Sequence, residues 1–413
     1  MGSKKCLAEL FLALFWASQS SYAARDMRLD GPVLIIGAGI GGLTLASALA
    51  QRGFECRLFE RAPELAPAGA GILVQTGALL ALGTLKLDAA VRAQGQDVLM
   101  GFLKTQRGQM LQRTSMSFLR DELGASTVAI HRARLQEVLQ NAGNGVPIAL
   151  GAELVGYETD ASGVTALFAD GRRERGALLV GADGLRSAVR RALLGESPLR
   201  YAGYTSWRGI AAVSGATPHE VTEMWGPGAR FGFAAIGHDE TYWFAVLNAR
   251  EGERESNSLA AVTRHFAGWT EPVPELLAHT APERVFRTDI HDRLPVASWS
   301  GERVTLLGDA AHPTTPNLGQ GGSMAIEDAV VLAHALERAP ALADALADYE
   351  RRRVARTNRI VEASFRFGRL AQLENRLAIF LRNALFRALP ESMVQKELRR
   401  AAQFSLDGNL ARA

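Results

Sequence analysis

Val33-Leu34-Ile35-Ile36-Gly37-Ala38-Gly39-Ile40-Gly41-Gly42 is the stretch that decides the fold. Four apolar residues in a row read as a strand buried on both faces. A G-x-G-x-x-G follows directly, and Leu43–Leu49 beyond it has helical spacing. Arg57-Leu58-Phe59 opens a second short strand, so the segment reads as a βαβ unit. In that context each glycine has a task. Gly37 permits the tight turn, Gly39 lets a pyrophosphate approach the backbone, and Gly42 lets helix pack on strand. The helix N-terminus offers free N–H groups and a partial positive charge to phosphates. Glu60 stands 18 residues beyond Gly42, at the end of the second strand. A carboxylate there accepts from ribose hydroxyls and repels a 2′-phosphate, which points to FAD or NAD rather than NADP. Arg61 beside it joins the expected cofactor-binding set. The competing reading is a glycine turn that holds no ligand; strand, helix and acid at these spacings argue against it.

The rest of the composition sets bounds. A chain of 413 residues suggests two domains, or one large domain with an insertion. With 47% hydrophobic and 22% charged residues it is not a disordered chain. Forty-one glycines are about 10% of the chain, above the usual ~7%, and they cluster in motifs. Lys plus Arg number 46 against 43 Asp plus Glu, so the net charge of +3 is no nucleic-acid footprint. Cys6 and Cys56 are the two cysteines, which excludes a zinc ribbon, a CxxC dithiol and a disulfide scaffold.

Residues 1–26 read in two ways. Lys4 and Lys5, the apolar run Cys6–Ala17 and the small residues around Ala23 resemble a secretory signal. Equally, Met27 sits just before the first strand, and an upstream extension from a wrong start codon gives the same picture. The run is too short to span a membrane. The expected location is cytoplasmic, or exported or membrane-associated if residues 1–24 act as a signal.

Farther along, His131–Ala142 reads as a helix and Ala177–Val180 as a buried strand. Tyr201–Val213 and Tyr242–Leu247 are aromatic and β-branched, as sheet strands are. Five of six Trp fall between 200 and 300. Arg303–Leu307 is another buried strand, and the chain is mainly helical from Met324. The expected fold is α/β: a Rossmann-type FAD-binding domain with an inserted mixed β-sheet substrate domain and a helical C-terminus. The expected division is 1–26 extension, 27–200 first part of the FAD-binding domain, 201–295 substrate domain, 296–365 return segment, and 366–413 C-terminal helices. Within that tail, Leu377–Arg400 is basic and amphipathic. It reads as a capping helix, with a membrane-surface helix as the alternative.

Two more glycine–aspartate turns separate FAD from NAD. Gly181-Ala182-Asp183-Gly184 follows the strand ending at Val180. Gly308-Asp309-Ala310-Ala311-His312-Pro313 follows Arg303–Leu307 and leads through Pro316 and Gly319-Gln320-Gly321-Gly322 into a helix. Asp309 at a strand end suits a polyol hydroxyl. A helix start at Gly321-Gly322 brings backbone N–H groups to an anionic ring edge, where reduced flavin carries charge.

Together the fingerprint, the "DG" pair Asp183-Gly184 and the "GD" pair Gly308-Asp309 resemble the single-component FAD-dependent aromatic hydroxylases, the para-hydroxybenzoate hydroxylase-like flavoprotein monooxygenases. Tyr201–Gly209 and Gly308–Gly322 resemble the branch with urate hydroxylase, 3-hydroxybenzoate 6-hydroxylase and zeaxanthin epoxidase. The resemblance implies that Gly37, Gly39 and Gly42 hold the pyrophosphate and Glu60 the adenosine ribose. It implies that Arg132, with Arg134 as rival, reaches FAD, that Asp183 serves FAD and NAD(P)H, and that Asp309 holds the ribityl chain. Pro316, Gly321 and Gly322 are expected to border the isoalloxazine ring. Arg230 is expected to face flavin and substrate, the alternative being a surface strand arginine. His312 is either a structural hydrogen-bonder or a base. Tyr204, Trp207, Trp225 and Trp243 are together candidate walls of an aromatic pocket, while each taken singly reads first as plain core.

The implied activity is an NADH- or NADPH-consuming monooxygenase that inserts one oxygen atom, through a flavin C4a-hydroperoxide, into an aromatic, heteroaromatic or polyene substrate. With one fingerprint, NAD(P)H has no second domain to occupy and must visit the flavin transiently. The rivals are a flavin dehydrogenase or oxidase on the same scaffold, and a catalytically silent flavoprotein. A flavin halogenase would need a W-x-W-x-I-P sequence that the chain lacks. No metal and no nucleic acid is expected, membrane contact is not favoured, and the protein is expected to be a monomer or homodimer.

Overall fold

The computed structural model describes residues 29–65 and 70–406, so the reading of residues 1–26 lies outside the described residues. Val33–Ile36 forms a fully buried strand at the centre of a five-stranded parallel sheet. Its neighbours are Leu178–Gly181 on one side and Cys56–Phe59 on the other. Val304–Leu306 and Ile148–Ala149 form the edges. Helix Ile40–Ala50 begins directly after Gly39 and is buried along almost its whole length, which is why its sequence is apolar all round. Helix Gly321–Arg338 packs on it. Strand, helix and return strand share one large apolar core.

A seven-stranded mixed sheet lies beside this unit. Its order is Phe286–Asp292, Arg200–Ala211, Thr241–Asn248, Ala229–Ala235, Glu220–Gly226, Met100–Thr105, Met110–Ser115. The last two strands come from a stretch that the sequence reading places within 27–200, and Met100–Thr105 joins Glu220–Gly226 in parallel. Distant strands pair when their edges meet in space, and neither strand carries a local signal of its partner. Two smaller three-stranded sheets complete the β structure among the described residues.

The sheet's two faces differ. Trp207, Phe231, Phe233 and Trp243 pack with Val262, Phe266 and Leu276 in an outer core under helices Ser258–His265 and Val273–Ala278. Of the two readings for Trp207 and Trp243, plain core is what is seen: both are buried within this outer core. The opposite face carries Tyr204, Arg208, Arg230 and Tyr242, as the strand alternation requires. The chain ends in helices Leu342–Ala371, Arg376–Ala388 and Glu391–Ala402.

Candidate active site

The fingerprint glycines are required by packing and leave a space. Gly37 has φ +106°, and a Cβ there would lie 2.4 Å from the Ala182 carbonyl oxygen. A Cβ on Gly42 would meet the Gly37 carbonyl oxygen at 1.9 Å. At Gly39, by contrast, a Cβ would meet nothing within 4 Å. The open side of the turn is thus where a ligand backbone can approach. Glu60 bonds the same turn: its Oε2 accepts from Ala38 N at 2.8 Å and its Oε1 from Ala62 N at 2.9 Å. Each oxygen keeps a lone pair for a hydroxyl. Arg61 is exposed beside it.

Asp183 is committed to its own turn. Its carboxylate accepts from Ser187 Oγ at 2.5 Å and from Ala188 N at 2.7 Å, at the start of helix Ala188–Leu194. Burial pushes its carboxyl above the usual range, against those bonds. Asp183 therefore shapes the turn that touches Gly37.

The Asp309 carboxylate has no such partner among the described residues. It is open to solvent yet sits deep in a cleft, and desolvation there raises its carboxyl; His312, Arg132 and Arg208 oppose the rise. Its Oδ1 lies 3.8 Å from the position of a Cβ on Gly321, at the start of the 18-residue helix Gly321–Arg338. The free N–H groups of Gly321 and Gly322 thus open beside it. Arg132 faces the same cleft, where desolvation lowers its guanidinium and Asp309 partly restores it. Of the two rival arginines, Arg134 is occupied by Ile236 O at 3.0 Å, Gln94 O and Glu240. Arg132 has no hydrogen bond from its side chain among the described residues.

His312 lies behind the cleft, not in it. It is buried, its Nε2 meets Asp328 Oδ2 at 2.5 Å, and Trp299 packs on its ring. Asp328 also accepts from Gly308 N at 2.9 Å and from Arg353 Nε at 2.6 Å. Burial alone would raise the Asp328 carboxyl, but His312 and Arg353 outweigh it and hold it at about 2. The cluster fixes the Gly308-Asp309 turn from below, so the structural alternative for His312 describes what is seen.

On the sheet side, Arg230 is only 2% exposed, which excludes a surface strand arginine. Its Nε donates to Gln372 Oε1 at 2.9 Å, its Nη1 to Glu223 Oε1 at 3.2 Å and its Nη2 to Asn317 Oδ1 at 2.7 Å. Asn317 follows Pro316 in the turn Pro316–Leu318, so this strand arginine grips the loop that leads to Gly321. Asn317 also donates to Tyr204 Oη at 2.8 Å. Pro316 itself is exposed on that loop.

Sequence reasoning missed Arg208, Glu223, Tyr242 and Phe244. Register sets Arg208, Phe244, Gly232 and Glu223 in one row across the sheet, on the face of Arg230. A Cβ on Gly232 would lie 2.2 Å from Phe244 Cζ, so the outer edge of that ring reaches across the glycine. Glu223 Oε1 takes Trp225 Nε1 at 2.8 Å as well as Arg230, while Oε2 has no partner among the described residues. Burial raises the Tyr242 hydroxyl, and Arg208 and Arg132 oppose the rise, which ties the sheet to the Asp309 cleft. Glu223 and Arg208 carried no motif; only strand alternation next to Arg230 could have flagged them.

Residues 30–364, about four fifths of the chain, match the FAD binding domain family. The chain belongs to this family. Aurachin C monooxygenase/isomerase of Stigmatella aurantiaca is 46% identical over 381 residues, covering 92% of this chain and all of that protein. 2-Heptyl-3-hydroxy-4(1H)-quinolone synthase of Pseudomonas aeruginosa is 36% identical over 371 residues, 87% of this chain and 94% of that protein. The crystal structure of Klebsiella pneumoniae HpxO with FAD and uric acid superposes with a TM-score of 0.85 at 30% identity, covering 91% of this chain and 97% of that one. The flavoprotein is an FAD-dependent monooxygenase. Its open glycine at 39, its Arg132 and Asp309 with no side-chain hydrogen bond among the described residues, and the helix start at Gly321 are a set of donors, an acceptor and a gap that fits FAD. No helix among the described residues is long and apolar enough to cross a membrane.

Proposed function

We propose that this monooxygenase inserts one oxygen atom into a fused heteroaromatic ring of the quinolone kind that carries an apolar substituent, with NADH or NADPH as electron donor. The names of two relatives support the class: one is a monooxygenase/isomerase, the other a synthase of a heptyl-bearing hydroxyquinolone. The observation that carries it is the row Arg208, Phe244, Gly232, Glu223. It sets an aromatic ring, reaching across a glycine, beside a carboxylate oxygen with no partner among the described residues.

Bound FAD supplies electron transfer and the activation of molecular oxygen. Gly37, Gly39 and Gly42 would hold its pyrophosphate against the helix start, Glu60 and Arg61 its adenosine end, and Arg132 and Asp309 its central chain. Gly321 and Gly322 would present N–H groups to the anionic ring edge, beside Pro316. Asp183 holds the turn under Gly37. Arg230 keeps two of its five N–H groups beyond those already bonded, and they can hold a substrate carbonyl. Glu223 Oε2 accepts a ring N–H or O–H, which raises electron density in the ring to be oxygenated. Phe244 and Tyr242 keep water from the reacting face.

The test is NAD(P)H oxidation in air by the purified holoenzyme across 2-alkyl-4(1H)-quinolones, urate, phenols and polyenes, with products weighed. Quinolones are expected to speed oxidation and gain one oxygen atom. Stimulation by urate, phenols or polyenes alone would overturn the substrate class.

A further inference from the structure

Helix Arg376–Ala388 faces two ways. Its inner side is fixed: Phe386 packs edge-on against Trp225 at 5.0 Å, and the buried Arg382 lies over the same ring at 4.7 Å. Arg382 Nη1 also donates to Ala371 O at 2.8 Å. The capping role expected for this segment is thus filled by one side of the helix. Because those contacts set its rotation, the other side cannot turn inward. That side carries Leu377, Phe380, Leu381 and Leu385, which are 66, 65, 59 and 60% exposed. Their spacing puts them on one helix face.

The charge on the helix itself has one sign, and the exposed Glu374 just before it is taken up by Asn248 Nδ2 at 2.8 Å. The 13-residue helix has three Arg and no Asp or Glu. Arg376, and Arg369 just before the helix, are exposed and have no carboxylate partner among the described residues. An outward apolar stripe with unpaired guanidinium groups at its border matches a surface of anionic headgroups over acyl chains. A second copy of the chain is a poorer match. A stripe of four side chains falls well short of the roughly 800 Å² per partner that a stable dimer covers. It would also bring two Arg-bordered faces together.

We propose that helix Arg376–Ala388 docks on an anionic lipid membrane, with Leu377, Phe380, Leu381 and Leu385 in the headgroup–acyl boundary. The docked surface adjoins an open cleft of about 690 Å³ between the chain just before this helix and the ends of two sheet strands, lined in part by Asn248, Glu253, Arg369 and Glu374. Buried Tyr204 and Gln372 form its floor, hydrogen-bonded to Asn317 and Arg230. The docking itself rests on the surface alone and stands whatever the substrate is.

Flotation of the full-length holoenzyme with vesicles tests this, using phosphatidylglycerol–phosphatidylcholine mixtures against phosphatidylcholine alone. Binding is expected to anionic vesicles and to fall with added salt. Phe380→Ser/Leu381→Ser should weaken it about tenfold or more. Arg369→Glu/Arg376→Glu should also weaken it severalfold. Both variants alter exposed side chains and should keep flavin and melting temperature, which confirms folding. The proposal is overturned by wild-type protein that floats with neither vesicle. It is equally overturned by binding that survives both double substitutions, or by a dimer in sedimentation velocity that Phe380→Ser/Leu381→Ser dissociates.

Discussion

Arg230 Nη2 donates to Asn317 Oδ1 at 2.7 Å, and this bond ties the middle of the seven-stranded sheet to the loop after Pro316. On the proposed function, a substrate on the sheet and a ring beside the loop would thereby be set at one distance. Asn317→Ala removes the tie while leaving the fingerprint and Asp309 intact. The variant should keep its flavin and lose about 10²-fold in substrate turnover, since misplacement by an ångström costs that much. More of the NAD(P)H consumed should appear as hydrogen peroxide, read by a peroxidase-coupled assay. Normal coupling would show that the loop needs no such tie. Arg230→Ala should likewise keep flavin and lose its response to substrate.

The fingerprint glycines should fail differently. Gly39 borders open space, so Gly39→Val should fold and purify colourless, its side chain standing where the pyrophosphate belongs. Gly42→Val places atoms against the Gly37 carbonyl and should cost the fold itself. Far-ultraviolet dichroism with flavin absorbance separates the two outcomes. A yellow Gly39→Val protein would move the phosphate site elsewhere.

Asp309 sets binding against stability. Desolvation raises its carboxyl in the folded apoprotein, and a raised carboxyl favours the fold only while protonated. At pH 7 the ionised form is therefore held at a cost. Asp309→Asn apoprotein should melt no lower than wild type at pH 7, while flavin retention falls. Differential scanning calorimetry of apoprotein and dialysis of holoprotein read the two effects. A large drop in the apoprotein melting temperature would mean that Asp309 serves the fold.

Asp328 behaves oppositely. Held at about 2, below the ~3.9 of a free carboxyl, it contributes stability above about pH 4 that is lost as pH falls toward 2. Asp328→Asn takes one carboxylate from the buried Arg353, and breaking such a pair typically costs about 3–5 kcal/mol. Denaturant titration at pH 7 should show that loss. The variant's stability should also vary less than wild type's between pH 4 and 2.

Glu223→Gln keeps the shape of the site and removes the charge. It should raise KM for a substrate with a ring N–H about 10- to 100-fold, the worth of a charged hydrogen bond. An N-methylated analogue should be nearly indifferent to the change. Equal effects on both compounds would take Glu223 out of substrate contact.

Part of this was legible in the chain because it is local. The turn at Gly37–Gly42 needs its glycines within a few residues of each other, and Glu60 and Asp309 follow apolar runs that end as strands must. The C-terminal segment was legible as amphipathic and basic. It was not legible which of its sides is filled, since that depends on contacts with Trp225, far earlier in the chain. Nor could the chain separate Arg132 from Arg134, neighbours on one helix start whose difference is that Ile236 O and Glu240 reach only one of them.

By itself the sequence determined the parallel-sheet unit, the dinucleotide turn and the "GD" loop, because backbone geometry and helix ends act over short range. Only tertiary structure decided which face each aromatic residue takes. It also brought Met100–Ser115 into the second sheet and gathered Arg208, Glu223, Arg230 and Phe244 onto one face. Those follow from strand pairing between residues far apart in the chain, where a shift of one residue exchanges the faces.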